Sequence, residues 1–140
     1  MNIRFSSAVL LVLSLSWSVM AQGASPMREG MWEVTTKLAI PGMEGAAPLK
    51  SQQCVTAANI KDPVSTMPKM DSNDCKLTNF KLSSDKATYT LTCTQPTEVT
   101  GTGEIKYSGS DSYTGTLTLN GGGMAVTLNY DAKRLGDCPK

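Results

Sequence analysis

Histidine is absent from this 140-residue chain. Its absence removes the commonest general base, the commonest metal ligand and the usual pH switch near neutrality. A Ser-His-Asp or Cys-His catalytic arrangement is therefore excluded. No Cys-x-x-Cys spacing occurs either, which argues against a zinc site and against thioredoxin-like redox chemistry.

An excess of charge of one sign is also missing. The chain has 13 Lys and Arg against 12 Asp and Glu, which gives a formal net charge of +1. A nucleic-acid-binding protein normally concentrates a basic excess on one face. We therefore expect no nucleic-acid partner.

The first 21 residues have the pattern of a secretory signal peptide. Arg4 precedes an apolar stretch over residues 5–20 that serines interrupt, and Val19-Met20-Ala21 offers small or apolar residues to a signal peptidase. A spanning helix needs about 20 predominantly apolar residues, so we expect no membrane span in the mature chain. The sequence predicts a cleaved signal peptide over 1–21, one domain over 22–140, and a periplasmic or secreted location.

Four cysteines follow this export signal, and an even number in an exported protein predicts disulfides. Two strands are predicted at 76–82 and 87–94, around the turn at 83–85. If residues whose numbers sum to 168 face each other, Leu77 meets Leu91 and the first cysteine pair lies close enough to bond. The predicted pairs are Cys75–Cys93 and, by elimination, Cys54–Cys138.

Period-2 alternation predicts further strands along the chain. Thr56 is a predicted N-cap for a short helix through Lys61, which Asp62-Pro63 ends. In the last hairpin, pairing residues whose numbers sum to 243 places the large apolar residues on one face and the threonines on the other. The predicted strands outside the cysteine hairpin are 32–40, 50–55, 97–107, 113–119 and 124–134, with the last turn at Asn120–Gly123.

The resulting fold class is all-β. Gly101, Gly103 and Gly115 fall inside predicted strands, where glycine often lets a sheet bend sharply. We expect an antiparallel meander of six or seven strands, strongly curved or barrel-like, stapled by disulfides and carrying one short helix. A two-sheet sandwich is the alternative, and the sequence leaves open whether a barrel would close.

A series of short motifs follows in order across residues 29–139. They are Gly30–Thr36, Pro41–Met43, Gln53–Thr56, Asp74–Leu77, Leu91–Cys93, Gly101–Ile105, Tyr107–Gly109, Ser112–Thr116 and Arg134–Cys138. Together this set resembles the bacterial exported family catalogued as a domain of unknown function, DUF3617. The resemblance implies a small periplasmic envelope protein of a Gram-negative bacterium, and it implies no activity.

The residues favour a binding or accessory role without enzymatic activity or a cofactor. Glu33, Glu98 and Glu104 are opposite in phase to the apolar positions, so they are expected to face solvent rather than form an acid-base pair. A curled sheet could instead hold a small apolar ligand, because small barrels enclose about one such molecule. The predicted ligand-facing residues are Trp32, Tyr107, Tyr113 and Tyr130.

Two other interpretations compete with the ligand carrier. The first is a protein-interaction module of the envelope, such as a wall-hydrolase inhibitor, acting through the turn Ser108-Gly109-Ser110-Asp111-Ser112. This turn is similar to the Ser-Gly-Ser-type loop of small periplasmic lysozyme inhibitors. The second is a Cu(I) site at Met67 and Met70, since thioethers suit that ion, although methionine more commonly fills gaps in packing.

Overall fold

The computed structural model describes residues 23–42, 45–66 and 74–140. The predicted signal peptide over 1–21 and the proposed copper ligands Met67 and Met70 lie outside these residues. Within the described residues, no helix is both long enough and apolar enough to cross a membrane.

One antiparallel sheet of seven strands dominates the structure, as predicted. Its order is β2-β1-β7-β6-β5-β4-β3, and it is open, because the described residues show no pairing between β2 and β3. A single sheet replaces the alternative sandwich. The strands are β1 (Gly30–Ala39), β2 (Leu49–Val55), β3 (Cys75–Leu82), β4 (Lys86–Cys93), β5 (Val99–Tyr107), β6 (Ser112–Gly121) and β7 (Met124–Gly136).

The connection between β2 and β3 begins with a short helix, α1 (Ala57–Lys61), followed by a 3₁₀ turn over Pro63–Thr66. The predicted cap is confirmed. The Thr56 hydroxyl accepts from the Asn59 amide, and the Thr56 amide donates to the Asn59 side chain. This reciprocal pair satisfies backbone donors that a helix start otherwise leaves unpaired.

The predicted register of the β3–β4 hairpin is confirmed in its first half. Cys75 faces Cys93 and Leu77 faces Leu91. Beyond Thr78 the register shifts at a bulge, where Asn79 adopts a φ of 53°. Asparagine tolerates this left-handed conformation better than most residues.

The predicted register of the last hairpin is wrong by two residues. Leu117 faces Leu128 rather than Val126, and Tyr113 faces Ala132 rather than Tyr130. The strands continue into the expected four-residue turn and leave a two-residue turn at Gly122-Gly123, where both φ angles are positive. Such tight turns match the twist of a hairpin. A shift of two keeps every side chain on its face, so the predicted apolar face stands.

Residues 23–29, which we call the strap, cross one end of the sheet. The Ser25 amide donates to the Ile60 carbonyl, and the Arg28 amide donates to the Ser110 carbonyl, both at 3.0 Å. The Trp32 indole donates to the Arg28 carbonyl. The strap thereby places Met27 in a core with Trp32, Val55 and Ala132.

Both predicted disulfides are present. Cys75–Cys93 ties the edge strand β3 to β4, and Cys54–Cys138 ties the edge strand β2 to the chain beyond β7. An edge strand has hydrogen-bonding neighbours on one side only. Each disulfide therefore fastens one of the two edges of the open sheet.

Removing the two disulfides separately should destabilise the protein unequally. Each of the variants Cys54→Ala/Cys138→Ala and Cys75→Ala/Cys93→Ala should lose about 2–4 kcal/mol of unfolding free energy. The first should lose about 1 kcal/mol more, because its bond closes a separation of 84 residues rather than 18. Urea unfolding under oxidising conditions measures both losses, and a larger loss for the Cys75–Cys93 pair would contradict this reasoning.

Candidate functional site

A cavity of about 320 Å³ lies on the concave face of the sheet. Six adjacent strands contribute to its wall, which requires strong curvature because four other strands lie between β2 and β4 in the sheet order. The lining residues are Met27, Val34, Thr36, Ser51, Gln53, Pro63, Tyr89, Ile105, Tyr107, Tyr113, Leu128 and Tyr130.

All four tyrosines of the chain line this cavity. They come one each from β4, β5, β6 and β7. Each occupies a position whose side chain points to the same face as the inward apolar residues of its strand, because side chains alternate along a strand. The sheet therefore gathers the only phenol groups of the protein around one volume.

Three of the four predicted ligand-facing residues line the cavity, and Trp32 does not. Trp32 is fully buried in a core cluster with Met27, Val55 and Ala132. Its ring packs against Tyr113 with centroids 5.8 Å apart, and Tyr113 in turn meets Tyr107 edge-on at 6.1 Å. The indole thus supports the position of a lining tyrosine, and tilted or edge-to-face pairs of this kind are favourable.

Tyr89 is a lining residue that the sequence reasoning missed. It has the same alternation phase in β4 as Leu91 and Cys93, so the period-2 pattern was the signal that could have found it. Tyr89 lies directly opposite Gly103, and a Cβ atom at that glycine would overlap the tyrosine ring. The glycine therefore provides room for the ring rather than only a point of bending.

The environment of the tyrosines keeps their hydroxyls protonated. Burial raises the pKa of Tyr113 to about 12, and a phenolate there would also be disfavoured by Tyr107, Tyr130 and Tyr89. Burial likewise raises the pKa of Tyr89 to about 12. For Tyr107 burial raises the pKa, and a hydrogen bond with Ser25 of the strap offsets part of the effect.

The remaining polar groups of the wall are also neutral. They are the hydroxyls of Thr36 and Ser51 and the amide of Gln53. No charged side chain is among the lining residues that the structure describes. The arrangement is therefore an apolar pocket with a few converging hydrogen-bonding groups, which is the usual composition of a small-molecule site.

A family model described as "Protein of unknown function (DUF3617)" matches residues 27–138. The chain belongs to the DUF3617 family. The match begins within the strap and ends at the second cysteine of the Cys54–Cys138 bond, so it spans all seven strands and every cavity-lining residue. No curated protein and no solved structure matches the chain.

The turn at Ser108–Ser112 of this DUF3617 protein is tied to the rest of the chain. The Arg28 guanidinium donates to the Asp111 carboxylate at 2.7 and 3.0 Å. The Arg134 amide donates to the Asp111 carbonyl. Within the turn, the Ser112 hydroxyl donates to the Ser108 carbonyl. The polar groups proposed for partner binding therefore hold the strap and β7 in place.

Carboxylates of the sheet lie on its outer face or at its ends. Glu104 pairs with Lys86 and Lys106 at 3.3 and 3.2 Å, and both contacts lower the pKa of the Glu104 carboxyl. Glu33 contacts Lys50 at 3.4 Å. Among the described residues no group of three or more His, Cys, Asp or Glu side chains is placed to hold a metal ion.

Replacing Gly103 with alanine should displace the Tyr89 ring. The new methyl group would occupy the position of the ring, and such overpacking typically costs about 1–3 kcal/mol of unfolding free energy. Gly115→Ala is the matched control in the neighbouring strand, because its nearest contacts are at 3.3 Å. Denaturant unfolding of both variants measures the difference, and an equal loss would contradict the role assigned to Gly103.

Stability should fall as the pH rises from 10 to 12. Tyrosine in the unfolded chain ionises near pH 10.0, whereas Tyr89 and Tyr113 in the folded protein ionise near pH 12. Between these values the unfolded state loses protons that the folded state keeps, and this favours unfolding. Urea unfolding combined with phenolate absorbance measures both effects. A folded protein in which all four tyrosines ionise near pH 10 would contradict the burial of these groups.

Proposed function

We propose that this protein binds one small, largely apolar molecule in the tyrosine-lined cavity. The observation that carries the proposal is the convergence of all four tyrosines, from four strands, on one cavity. Phenol side chains combine apolar surface with a polar tip, and such groups are typical of ligand-binding walls. The proposed role is that of a non-enzymatic binding or accessory protein.

The dimensions of the cavity support a single small ligand. Its volume of about 320 Å³ lies at the lower end of the roughly 300–1,000 Å³ common for ligand pockets. The strap covers one end of the fold through Met27, which is buried and also lines the cavity. A ligand there would be largely removed from water, and burial of apolar surface would drive its binding.

The proposed setting is the periplasm or the outside of the cell, reached by cleavage of the signal peptide over residues 1–21. Both disulfides are consistent with an oxidising compartment, where such bonds form and persist. The four cysteines are all paired in the structure. The bonds fasten the edge strands, so the fold that carries the cavity would depend on export.

A pair of adjacent threonines in β1 allows a matched test of the cavity. Thr36 lines it, whereas Thr35 belongs to the opposite face and lies between Lys50 and Asp131. The probe is 2-acetylnaphthalene, followed by equilibrium dialysis. The unaltered protein should bind one molecule per chain. Thr36→Phe fills the cavity and should weaken binding at least tenfold, while Thr35→Phe should leave it unchanged.

Thermal unfolding of both variants checks that they fold. Failure of the unaltered protein to bind the probe in a saturable way would overturn the proposed function. So would an equal loss of affinity in folded Thr36→Phe and Thr35→Phe, because the outer-face substitution leaves the cavity intact.

A further inference from the structure

We infer that the cavity selects uncharged ligands that carry a hydrogen-bond acceptor, such as a carbonyl or ether oxygen, for the tyrosine hydroxyls to bind. This inference rests on the proposed function and narrows the class of ligand. It follows from two properties of the wall, the neutrality of its polar groups and the O–H donors that its phenols present.

The absence of charged side chains in the described wall disfavours an ionic ligand. The described lining residues offer four phenols, two hydroxyls and one amide, all neutral. An ion entering this cavity would give up its hydration without meeting an opposite charge, and burial of an unpaired ion is strongly unfavourable. An uncharged molecule avoids that cost.

The hydroxyl groups of the wall are available to a ligand. The structure shows no hydrogen bond from the hydroxyls of Tyr89, Tyr113 and Tyr130 to another described residue, and all three residues line the cavity. No fully buried side-chain oxygen or nitrogen in the described part of the chain lacks a partner, so these three hydroxyl oxygens keep some accessible surface. In the unliganded protein, solvent water can bond to hydroxyls that keep accessible surface.

Each of these neutral phenol hydroxyls has one proton to donate to an acceptor on a ligand. Burial raises the pKa of Tyr89, Tyr113 and Tyr130 above that of free tyrosine, so the proton stays on the oxygen at neutral pH. A purely hydrocarbon ligand would displace the water and leave these donors unpaired, which costs free energy. A ligand with a carbonyl or ether oxygen replaces the lost hydrogen bond and still gains from apolar contact with Val34, Ile105 and Leu128.

Three naphthalenes of nearly equal size separate the effect of a hydrogen-bond acceptor on affinity from the effect of charge. They are 2-acetylnaphthalene, which carries an acceptor, 2-ethylnaphthalene, which carries none, and 2-naphthoate, which is an anion at pH 7. Equilibrium dialysis with the unaltered, oxidised protein should give about tenfold tighter binding of the ketone than of the ethyl compound. Binding of 2-naphthoate should be at least tenfold weaker than that of the ketone.

Tyr113→Phe removes the central hydroxyl and keeps its ring. The preference for the ketone over the ethyl compound should fall at least threefold, while the affinity for 2-ethylnaphthalene stays the same or rises. A structural defect would weaken both compounds equally and leave the preference intact. Because every tyrosine lines the cavity, the control for hydroxyl removal is Thr35→Val on the outer face. Tyr130→Phe serves as the second variant if Tyr113→Phe does not fold.

The outcomes distinguish this inference from the proposed function. Equal affinities for the ketone and the ethyl compound would overturn the inference and leave ligand binding in the cavity intact. Tightest binding of 2-naphthoate would also overturn it. If folded Tyr113→Phe lost the same factor of affinity for both neutral compounds, the Tyr113 hydroxyl would not be the group that recognises the acceptor. If none of the three compounds binds, the inference and the proposed function fail together.

Discussion

The pairing of β1 with β7 is the constraint on which the rest of the structure depends. It joins the first strand to the last over nine residue pairs and makes β1 a bridge between β2 and the C-terminal strands. Without it, Ser51 and Gln53 of β2 would not reach the cavity formed by the later strands. The strap directly precedes β1, so it too would lose its position across one end of the sheet.

The curvature that closes the wall separates two chemically different faces. The inner face holds the tyrosines and aliphatic side chains around the cavity. The outer face is rich in threonine, and one row of it crosses five strands with each residue directly opposite the next: Thr78, Thr90, Thr102, Thr118 and Thr127. Threonine suits a half-exposed pleated surface. The four tyrosines are therefore concentrated where a ligand would meet them.

Much of the fold could be predicted because alternation is a local signal. It located the strands, assigned their faces and placed Cys75 opposite Cys93, which the structure confirms. Alternation could not predict the register of the last hairpin, since a shift of two residues leaves every side chain on the same face. The tighter turn is seen in the pairing of Gly121 with Met124 and in the positive φ angles of Gly122 and Gly123.

Alternation also explains why the candidate site could be predicted only in part. Tyr107, Tyr113 and Tyr130 could be placed on the inner face by phase, but phase does not separate a cavity wall from a core. Trp32 shares the phase and is fully buried. Its burial depends on the strap, whose contacts with α1 and with the Ser108–Ser112 turn join residues far apart in the sequence. Contacts between such distant residues produce no periodic pattern in the sequence.

The proposed binding in the cavity would bring one ligand against all four tyrosines at once. Its most direct test is ¹⁹F NMR of the protein labelled with 3-fluorotyrosine, because the chain then carries four fluorine-bearing sites, all of them in the cavity wall. Titration with 2-acetylnaphthalene should shift all four resonances along a single saturation curve. Four resonances that stay in place up to the solubility of the probe, or shifts at one tyrosine alone, would contradict the account.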